Sequence, residues 1–485
     1  MRRVWRLFEI GASLHAVEWF LIGAVLPYAV LACTPDALRT VLVRNAVTQL
    51  AIFLPLVQLP VLLSGKMAYV DIGWPIGLVA LAMNAAASGG WWVRRTIVGC
   101  VVGLHGGRMA LGALALFGSM TNYTYRFTAD LPRYRFARVR WESGAHAMPA
   151  RTWWIKAQHD TLQQCLANSV LLALPVLLAA SNPDPRLAPL ELLGWAIWAA
   201  AWALENVADV QKLAFVQTQK RARRALAPDA SPDAIAALKS ACLGVAPHDG
   251  GSSRSACVWT WCRHPNYFGE WSCWFGIVIA ALPSLLSLDL DSAALTAAVD
   301  SAAASGESLS LRIALRRVVP LRAVLGLALV YVLRMMYDCL VYWTGAAPAE
   351  HFSEKKRPMY RRYQRDTNCF WPKQLGGLVR CVTCLCGGVA HHRVPGWPDA
   401  VAASAHLDRL RFVAVYRDEV LESTTTIMVD DIATVEEIAA AVRAKAGAGA
   451  AARVVELRGA EPAERFTAQM GMPLARGSGV IVVLR

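Results

Sequence analysis

Eight apolar runs, each long enough to cross a bilayer, constrain the fold more than any other feature of this sequence. A membrane-spanning α-helix needs about 20 mostly apolar residues. Such runs occur near residues 14–33, 41–63, 68–88, 96–118, 162–180, 189–206, 271–288 and 321–343. Charged residues make up only 17% of the 485-residue chain, which argues against a series of soluble domains. The sequence therefore predicts a mainly α-helical, polytopic membrane bundle of about eight spans.

The charge of the connecting loops predicts how this bundle is oriented. The N-terminus and the segments 119–161 and 207–263 are basic, whereas 289–307 is acidic. Basic loops concentrate on the cytoplasmic side, so an even number of spans places both termini in the cytosol. Arg94 and Arg95 fall on the opposite side and contradict this scheme mildly. The net charge of +14 reflects the same loop bias or, alternatively, a basic surface that recognises an anionic cofactor. No segment resembles a nucleic-acid-binding module.

The most polar helix start in the chain lies in segment 259–274, which reads WTWCRHPNYFGEWSCW. The proline restricts His264 to extended geometry, so the helix is predicted to begin at the proline. Asn266, Tyr267 and Glu270 then occupy the first turns, and Asn266 and Glu270 share one face. The free N–H groups of a helix start suit an anionic group such as a phosphate. We therefore expect a binding site here rather than a simple helix cap at the membrane surface.

Other polar residues lie inside or beside the apolar runs. Asp71 stands next to a Gly/Pro break in YVDIGWPIG, where it either lines a cavity or caps the following helix. Glu205 and Asp209 are four residues apart and face one side of a helix. They either accept hydrogen bonds from a ligand's amide or ribose hydroxyls, or belong to a solvated helix end. For His105 and Arg108 we expect a packed pair rather than catalysis.

A basic, tyrosine-containing segment follows the last span and reads EHFSEKKRPMYRRYQRDTNCFWP over residues 350–372. Tyr360 and Tyr363 lie among six basic residues, of which Lys355 is the first. A juxtamembrane segment of this kind contacts anionic lipid head groups. Alternatively, it closes over a cofactor phosphate, to which arginine offers bidentate hydrogen bonds.

A cysteine-containing linker over residues 376–404 separates this segment from the end of the chain. Cys381, Cys384 and Cys386 are close in sequence, but their spacing matches no paired C-x-x-C zinc motif. Cysteines beside a membrane are also acylated or simply buried. We therefore predict no metal site from the sequence.

Residues 405–485 have the composition of a small soluble domain. RFVAVYRD and TTTIMVDD predict a hairpin, TVEEIAAAVRAKAG predicts a helix, and AARVVELRG and SGVIVVLR predict further strands. The order ββαβ…β is typical of an α+β, β-grasp module. The predicted domains are thus N-terminal membrane helices over 1–64, a membrane core over 65–375, the linker, and this C-terminal domain.

Five segments of the core together resemble the steroid 5-alpha-reductase-like membrane family, in particular a branch related to sterol reductases. They are YVDIGWPIG, DLPRYRFARVRW, ENVADVQKLAF, WTWCRHPNYFGEW and EKKRPMYRRYQRDTNCFWP, in the order of the family and over about residues 65–372. The C-terminal domain resembles ubiquitin, most clearly in SGVIVVLR. It lacks a terminal Gly-Gly and so is not expected to be conjugated. Related enoyl-CoA reductases carry a ubiquitin-like domain at the other end.

The resemblance implies NADPH-dependent reduction of a carbon–carbon double bond in a lipid of sterol, enoyl or polyprenol type. It implies that Asn266 and Glu270 hold the nicotinamide and ribose region and that Tyr363 belongs to a segment covering the phosphates. The positions that match the family's cofactor cleft are Glu205, Asp209, Arg263, His264, Asn266, Tyr267, Glu270, Lys355, Tyr360 and Tyr363. Tyr267 and Asp71 are the candidates for the proton donor.

Two other functions remain open on the sequence. The RHP-x-Y motif also fits isoprenylcysteine carboxyl methyltransferases, which use S-adenosylmethionine, although Phe268-Gly269-Glu270 and the upstream Glu-x-x-x-Asp favour the reductases. A membrane scaffold without catalysis is the other alternative, with the ubiquitin-like domain recruiting a protein partner. Binding of NADPH or of S-adenosylmethionine distinguishes these functions.

Overall fold

A computed structural model describes the chain over residues 21–120, 127, 129–142, 152–225, 241–244, 257–288, 321–357, 360, 363–364 and 367–375, and over five strands between 408 and 484. The structure divides into two compact units. Unit 1 comprises Met1–Val207 and Asn266–Pro348, and unit 2 comprises Ala208–Pro265 and Ala349–Arg485. The described residues are mainly helical, as the sequence predicts.

Unit 1 consists mainly of helices, most of them apolar. Its helices are α1 (Leu26–Cys33), α2 (Asp36–Phe53), α3 (Leu59–Ser64), α4 (Val70–Ala86), α5 (Trp92–Met120), α6 (Pro132–Glu142), α7 (Trp153–Leu166), α8 (Ala173–Ala180), α9 (Pro189–Ala225) as far as Val207, α10 (Pro265–Leu286) and α11 (Leu321–Asp338). A π-helical turn, Leu54–Gln58, joins α2 to α3. Pro55 lies in this turn, and its missing N–H breaks the regular α-helical ladder.

Six helical stretches of the described residues are long and apolar enough to cross a membrane. They are Asp36–Ser64, Met67–Ala86, Trp92–Ser119, Trp153–Ala180, Pro265–Leu286 and Leu321–Glu354. Each overlaps one of the predicted apolar runs, so six of the predicted spans are confirmed as candidate spans. These helices identify the chain as an integral membrane protein.

The other two predicted spans are not confirmed. The run near 14–33 lies partly outside the described residues, and its described part contains the short apolar helix Gly23–Cys33. The run at 189–206 begins the 37-residue helix α9. This helix is not among the six candidates, since its glutamates and tryptophans lower its hydropathy.

Glycines bring the helices of unit 1 into close contact. A Cβ atom at Gly106 on α5 would lie 2.7 Å from Leu78 Cβ on α4. A Cβ atom at Gly194 on α9 would lie 2.4 Å from the backbone nitrogen of Ala280 on α10. Real Cβ atoms do not approach other atoms this closely, so these positions require glycine. The α4–α5 and α9–α10 pairs are therefore held at short distances.

Arg94, near the start of α5, pairs with the start of α9 and with the turn before it. Its side chain is buried and donates to both carboxylate oxygens of Glu191, at 2.7 and 3.1 Å. It also donates to the backbone carbonyls of Asn182, Asp184 and Arg186 in the turn before α9. Arg94 is therefore held within the fold by one ion pair and by backbone carbonyls, and the predicted membrane orientation stays a prediction.

Unit 2 contains the end of α9, the segment 257–264 with a turn at Val258–Thr260, and α12 (Ala346–Lys356) from Ala349 onwards. It also contains a five-stranded sheet formed by β1 (Asp408–Arg417), β2 (Val420–Asp430), β3 (Val454–Arg458), β4 (Arg465–Thr467) and β5 (Val480–Leu484). The strand order is β2-β1-β5-β3-β4, with β1 and β5 parallel.

This strand order is the one expected of a β-grasp fold. The helix predicted between β2 and β3 lies outside the described residues, so the ubiquitin-like domain stays a prediction. The predicted domain boundaries also stay predictions.

Candidate functional site

Helix α10 begins at Pro265, where the sequence predicts it. His264 lies just outside the helix, and the proline occupies the first helical position, where a missing N–H costs nothing. Asn266 and Tyr267 are half-buried in the first turn of this helix, and Glu270 is buried one turn later. Within unit 1, the amide of Asn266 and the carboxylate of Glu270 therefore share the face that the sequence predicts.

Arg263 and Glu350 form a buried ion pair in unit 2. Nε of Arg263 donates to Oε1 of Glu350 at 2.7 Å, and Nη2 donates to Oε2 at 3.1 Å. The exposed fractions of the two residues are both 1%. Nη1 of Arg263 donates to the carbonyls of Gln364, at 2.9 Å, and Thr367. Four of the five N–H groups of Arg263 are thus satisfied within unit 2.

His264 contacts the same carboxylate. Its Nε2 lies 2.9 Å from Oε1 of Glu350, and the side-chain amide of Gln364 donates to Oε2 at 2.9 Å. The backbone N–H groups of Arg263 and His264 donate to the carbonyls of Asn368 and Cys369, at 2.8 and 3.1 Å. Glu350 therefore fixes the segment before α10 through side-chain bonds that backbone pairing reinforces.

Burial and charge set the protonation states in this network. Burial lowers the pKa of His264 below its ordinary value of 6.5, although Glu350 opposes this shift. The imidazole is then neutral at pH 7, with a proton on Nε2 that it donates to Glu350. Burial also lowers the pKa of Arg263, but the adjacent carboxylate outweighs this effect, so the pKa is raised overall. The network thus contains one ion pair and one neutral histidine.

Tyr363 connects the C-terminal segment of unit 2 to the residues before α10. Its hydroxyl donates to the carbonyl of Trp259 and lies 3.4 Å from that of Cys262. Its ring packs edge-on against that of Tyr360, with 5.7 Å between ring centroids. Burial raises the pKa of both tyrosines well above 10, so both hydroxyls stay protonated. Gly244 has a φ of 88°, and a Cβ atom there would lie 2.5 Å from the Tyr363 hydroxyl.

Two cations of unit 2 lie over aromatic rings. The Nζ atom of Lys212 is 5.6 Å from the centroid of a Trp259 ring, and Cζ of Arg357 is 6.0 Å from that of Phe215. Lys212 is exposed and Arg357 is half-buried. Unlike Arg263, these two residues are accessible to an anionic group.

A second cluster of polar side chains, in unit 1, surrounds Asp71. The hydroxyl of Tyr134 on α6 donates to Oδ1 of Asp71 at 2.7 Å, and Nη1 of Arg133 is 3.6 Å from the same oxygen. The carboxylate of Asp71 raises the pKa of Arg133 although burial opposes this shift, and the carboxylate of Glu270 adds a smaller effect of the same sign. The carboxylates of Asp71 and Glu270 therefore both stabilise the charge of Arg133 within unit 1.

Glu350 and Tyr134 are missing from the residues singled out in the sequence. Glu350 lies 87 residues from Arg263, and Tyr134 lies 63 residues from Asp71. Tyr134 lies inside the matching segment DLPRYRFARVRW, whereas Glu350 lies in the basic segment 350–372 but just before the matching stretch EKKRPMYRRYQRDTNCFWP.

The remaining predicted site residues are distributed as follows. Asp209 is half-buried in unit 2, and Glu205 is buried in unit 1, where Arg108 donates to it. The Lys355 side chain and the three cysteines at 381, 384 and 386 lie outside the described residues. The predicted cofactor cleft draws on residues of both units, and its composition stays a prediction.

Comparison with known proteins identifies one family. Residues 60–302, half of the chain, match the family described as protein of unknown function (DUF1295). No curated protein and no solved structure is significantly similar to the chain. The matched region contains Asp71, Tyr134 and the whole of segment 259–274. The chain therefore belongs to the DUF1295 family, a family of membrane proteins related to steroid 5-alpha-reductases.

Proposed function

We propose that this protein is an integral-membrane reductase that uses NADPH to reduce a carbon–carbon double bond in a lipid. The observation that carries the proposal is the cluster of polar side chains around Asp71 in unit 1. Asp71 accepts a 2.7 Å hydrogen bond from Tyr134 and lies 3.6 Å from Nη1 of Arg133, whose charge the carboxylate of Glu270 also stabilises. Family membership and the segments that resemble steroid 5-alpha-reductases support the same reaction.

The polar side chains at the start of α10 can form hydrogen bonds with a nicotinamide nucleotide. Asn266 offers an amide donor and acceptor, and Glu270 offers a carboxylate acceptor on the same helix face. These groups complement the carboxamide of the nicotinamide and a ribose hydroxyl. When bound, NADPH supplies the hydride.

The chain's own residues have three tasks in this reaction. Asn266 and Glu270 orient the nucleotide, because hydride transfer requires a fixed distance and angle between the reacting carbons. The apolar surroundings of α10 exclude water. Asp71 and Tyr267 are the candidates to place a proton on the second alkene carbon, and Tyr134 holds Asp71 in position through its 2.7 Å hydrogen bond.

Arg263, His264 and Glu350 have a positioning role in this proposal. The guanidinium of Arg263 is buried and paired with Glu350, so it is poorly suited to receive a phosphate. Instead, the network fixes Arg263 and His264 immediately before Pro265, the first residue of α10.

The lipid substrate, the endoplasmic reticulum as location and the cytosolic orientation of both termini are part of the proposal. The strand order of the C-terminal sheet supports a ubiquitin-like domain there, with a protein partner as its ligand.

Binding of NADPH to the purified full-length chain tests the proposal. Energy transfer from tryptophan to the reduced nicotinamide reports binding, and S-adenosylmethionine serves as the competing nucleotide. We expect saturable NADPH binding that Asn266→Ala and Glu270→Gln weaken by about tenfold each, the cost of one lost hydrogen bond to a ligand. Asn84→Ala is the matched control, because Asn84 bonds to Asn45 and Thr48 on α2. Failure of NADPH to bind wild type, or equal loss in the control, would refute the proposal.

A further inference from the structure

A separate group of side chains that could ligate a metal ion lies among the helices of unit 1. His105 comes from α5, Glu205 from α9 and Cys273 from α10. One ligand atom of each lies within 4.8 Å of the other two. The exposed fractions of the three residues are 3%, 3% and 1%. These side chains are therefore close to one another and shielded from solvent and lipid.

The polar atoms that face each other in this group lack hydrogen-bond partners among the described residues. This is true of Nδ1 of His105 and of Oε2 of Glu205. The shortest distance between them, from Nδ1 to Oε2, is 3.9 Å, which is too long for a hydrogen bond. A buried polar atom without a partner is energetically costly. Two such atoms, Nδ1 of His105 and Oε2 of Glu205, lie close together, which points to a ligand that they share.

The surrounding contacts hold two of these side chains in a ligating arrangement. Arg108 donates to Oε1 of Glu205, which leaves Oε2 for a second partner. Ligating carboxylates in metal sites commonly have such a hydrogen bond on their other oxygen. The thiol of Cys273 lies 3.8 Å from the carbonyl of Trp198, a weak contact that a metal–thiolate bond would replace.

Close helix packing fixes the backbone on which the group is built. A Cβ atom at Gly269 on α10 would lie 2.9 Å from Cβ of Glu205 and 3.0 Å from its backbone nitrogen. Gly106, next to His105, makes the close contact with α4 described above. Each of the three helices is thus anchored near the residue that it contributes, which is the rigidity that a preorganised metal site needs.

We propose that His105, Glu205 and Cys273 bind a divalent transition metal, with Zn²⁺ as the preferred ion. One imidazole nitrogen, one thiolate and one carboxylate oxygen form a donor set that zinc accepts, whereas Ca²⁺ and Mg²⁺ prefer oxygen ligands only. Metal–ligand bonds of about 2.0–2.3 Å place the ligand atoms roughly 3.5 Å apart, so side-chain shifts of about 1 Å complete the site.

Three protein ligands leave a fourth position for an external ligand. The carboxylate, the thiolate, Arg108 and a divalent ion sum to one positive charge, so an anionic fourth ligand such as hydroxide balances the site. The inference does not rest on the proposed reductase function. In this arrangement Glu205 is a metal ligand and not a residue of the nucleotide cleft that the resemblance implies.

Titration of the metal-depleted, full-length chain with Co²⁺ in detergent tests this site. Co²⁺ takes the place of Zn²⁺ and gives a near-ultraviolet charge-transfer band when a thiolate binds it. We expect about one Co²⁺ per chain, displaced by Zn²⁺. Cys273→Ser is expected to abolish the band and to weaken binding at least about tenfold, and His105→Gln to weaken binding while the band remains.

Cys165→Ser is the matched control, because Cys165 on α7 is also fully buried in unit 1 but lies outside the group. It is expected to bind Co²⁺ like wild type. Gel filtration and circular dichroism confirm that each variant is folded. If Cys273→Ser is not folded, wild type and His105→Gln decide the question. Folded wild type without a thiolate band would overturn the proposal and favour a bridging water, and so would a band that persists in Cys273→Ser.

Discussion

Arg263 and Glu350 form a two-pronged ion pair that is almost inaccessible to solvent, with N–O distances of 2.7 and 3.1 Å. The pair joins the first residue of the RHP-x-Y motif to Glu350 on α12, 87 residues later. His264 and Gln364 complete the hydrogen bonding of the carboxylate. The basic residue of the motif thus has a structural partner within unit 2.

Removing the charge of Glu350 is expected to destabilise unit 2. Glu350→Gln leaves Arg263 as an uncompensated buried charge, which typically costs about 3–5 kcal/mol. We expect a fall of several degrees in the melting temperature of the detergent-solubilised protein. Glu191→Gln is the matched comparison, because Glu191 pairs with buried Arg94 in the same two-pronged geometry. An unchanged melting temperature in Glu350→Gln would show that the pair does not contribute to stability.

Protonation of His264 is expected to destabilise the protein in mild acid. Its pKa is lowered in the folded state, so below pH 6.5 the unfolded chain binds a proton that the folded chain excludes. The stability is therefore complete above pH 6.5 and decreases as the pH falls below it, by up to about 1.4 kcal/mol per pH unit.

The measurement is the melting temperature between pH 7.5 and pH 5, in wild type and in His264→Asn. The variant lacks the titratable imidazole, so its melting temperature is expected to decline less steeply with falling pH. His159→Asn serves as the control, because His159 is an exposed histidine on α7. Parallel pH profiles for wild type and His264→Asn would contradict the assignment of a lowered pKa.

The Tyr134 hydroxyl is expected to support both stability and activity through Asp71. Burial and the neighbouring carboxylate raise the pKa of Tyr134, so its hydroxyl is a permanent donor to Asp71. Tyr134→Phe leaves Asp71 without this donor and is expected to cost about 1–3 kcal/mol. Tyr28→Phe, at a residue that is 48% exposed, is expected to change stability by less than about 0.5 kcal/mol. Equal melting temperatures for the two variants would argue against the Tyr134–Asp71 bond.

A methyl group at Gly269 is expected to separate α9 from α10. In Gly269→Ala the new Cβ atom meets the Cβ and backbone nitrogen of Glu205 at 2.9 and 3.0 Å. Overpacking of this kind costs about 1–3 kcal/mol, so the melting temperature should fall. Gly112→Ala is the control, because no atom lies within 4 Å of a Cβ atom there, and helix propensity favours alanine. A melting temperature of Gly269→Ala at or above that of Gly112→Ala would show that the helices separate without cost.

Local sequence patterns predict the helices of this protein well and its long-range pairs poorly. The apolar runs locate six candidate spans, and the proline after His264 locates the start of α10, because both signals act within a few residues. The partners of Arg263 and Asp71 depend on how distant segments pack. No periodicity or spacing near Arg263 points to Glu350, and a basic motif residue beside a helix start suggests a ligand more readily than a buried ion pair.

Transfer of a hydride from NADPH to a lipid is the most direct test of the proposed reductase function. Membranes that contain the full-length chain are incubated with NADPH deuterated on both faces of C4, and the lipids are analysed by mass spectrometry. A lipid that gains two hydrogen atoms, one of them deuterium, is predicted for wild type and for Asn84→Ala but not for Glu270→Ala. Absence of deuterium from every lipid, or equal labelling in membranes with Glu270→Ala, would contradict a reductase that holds NADPH at the start of α10.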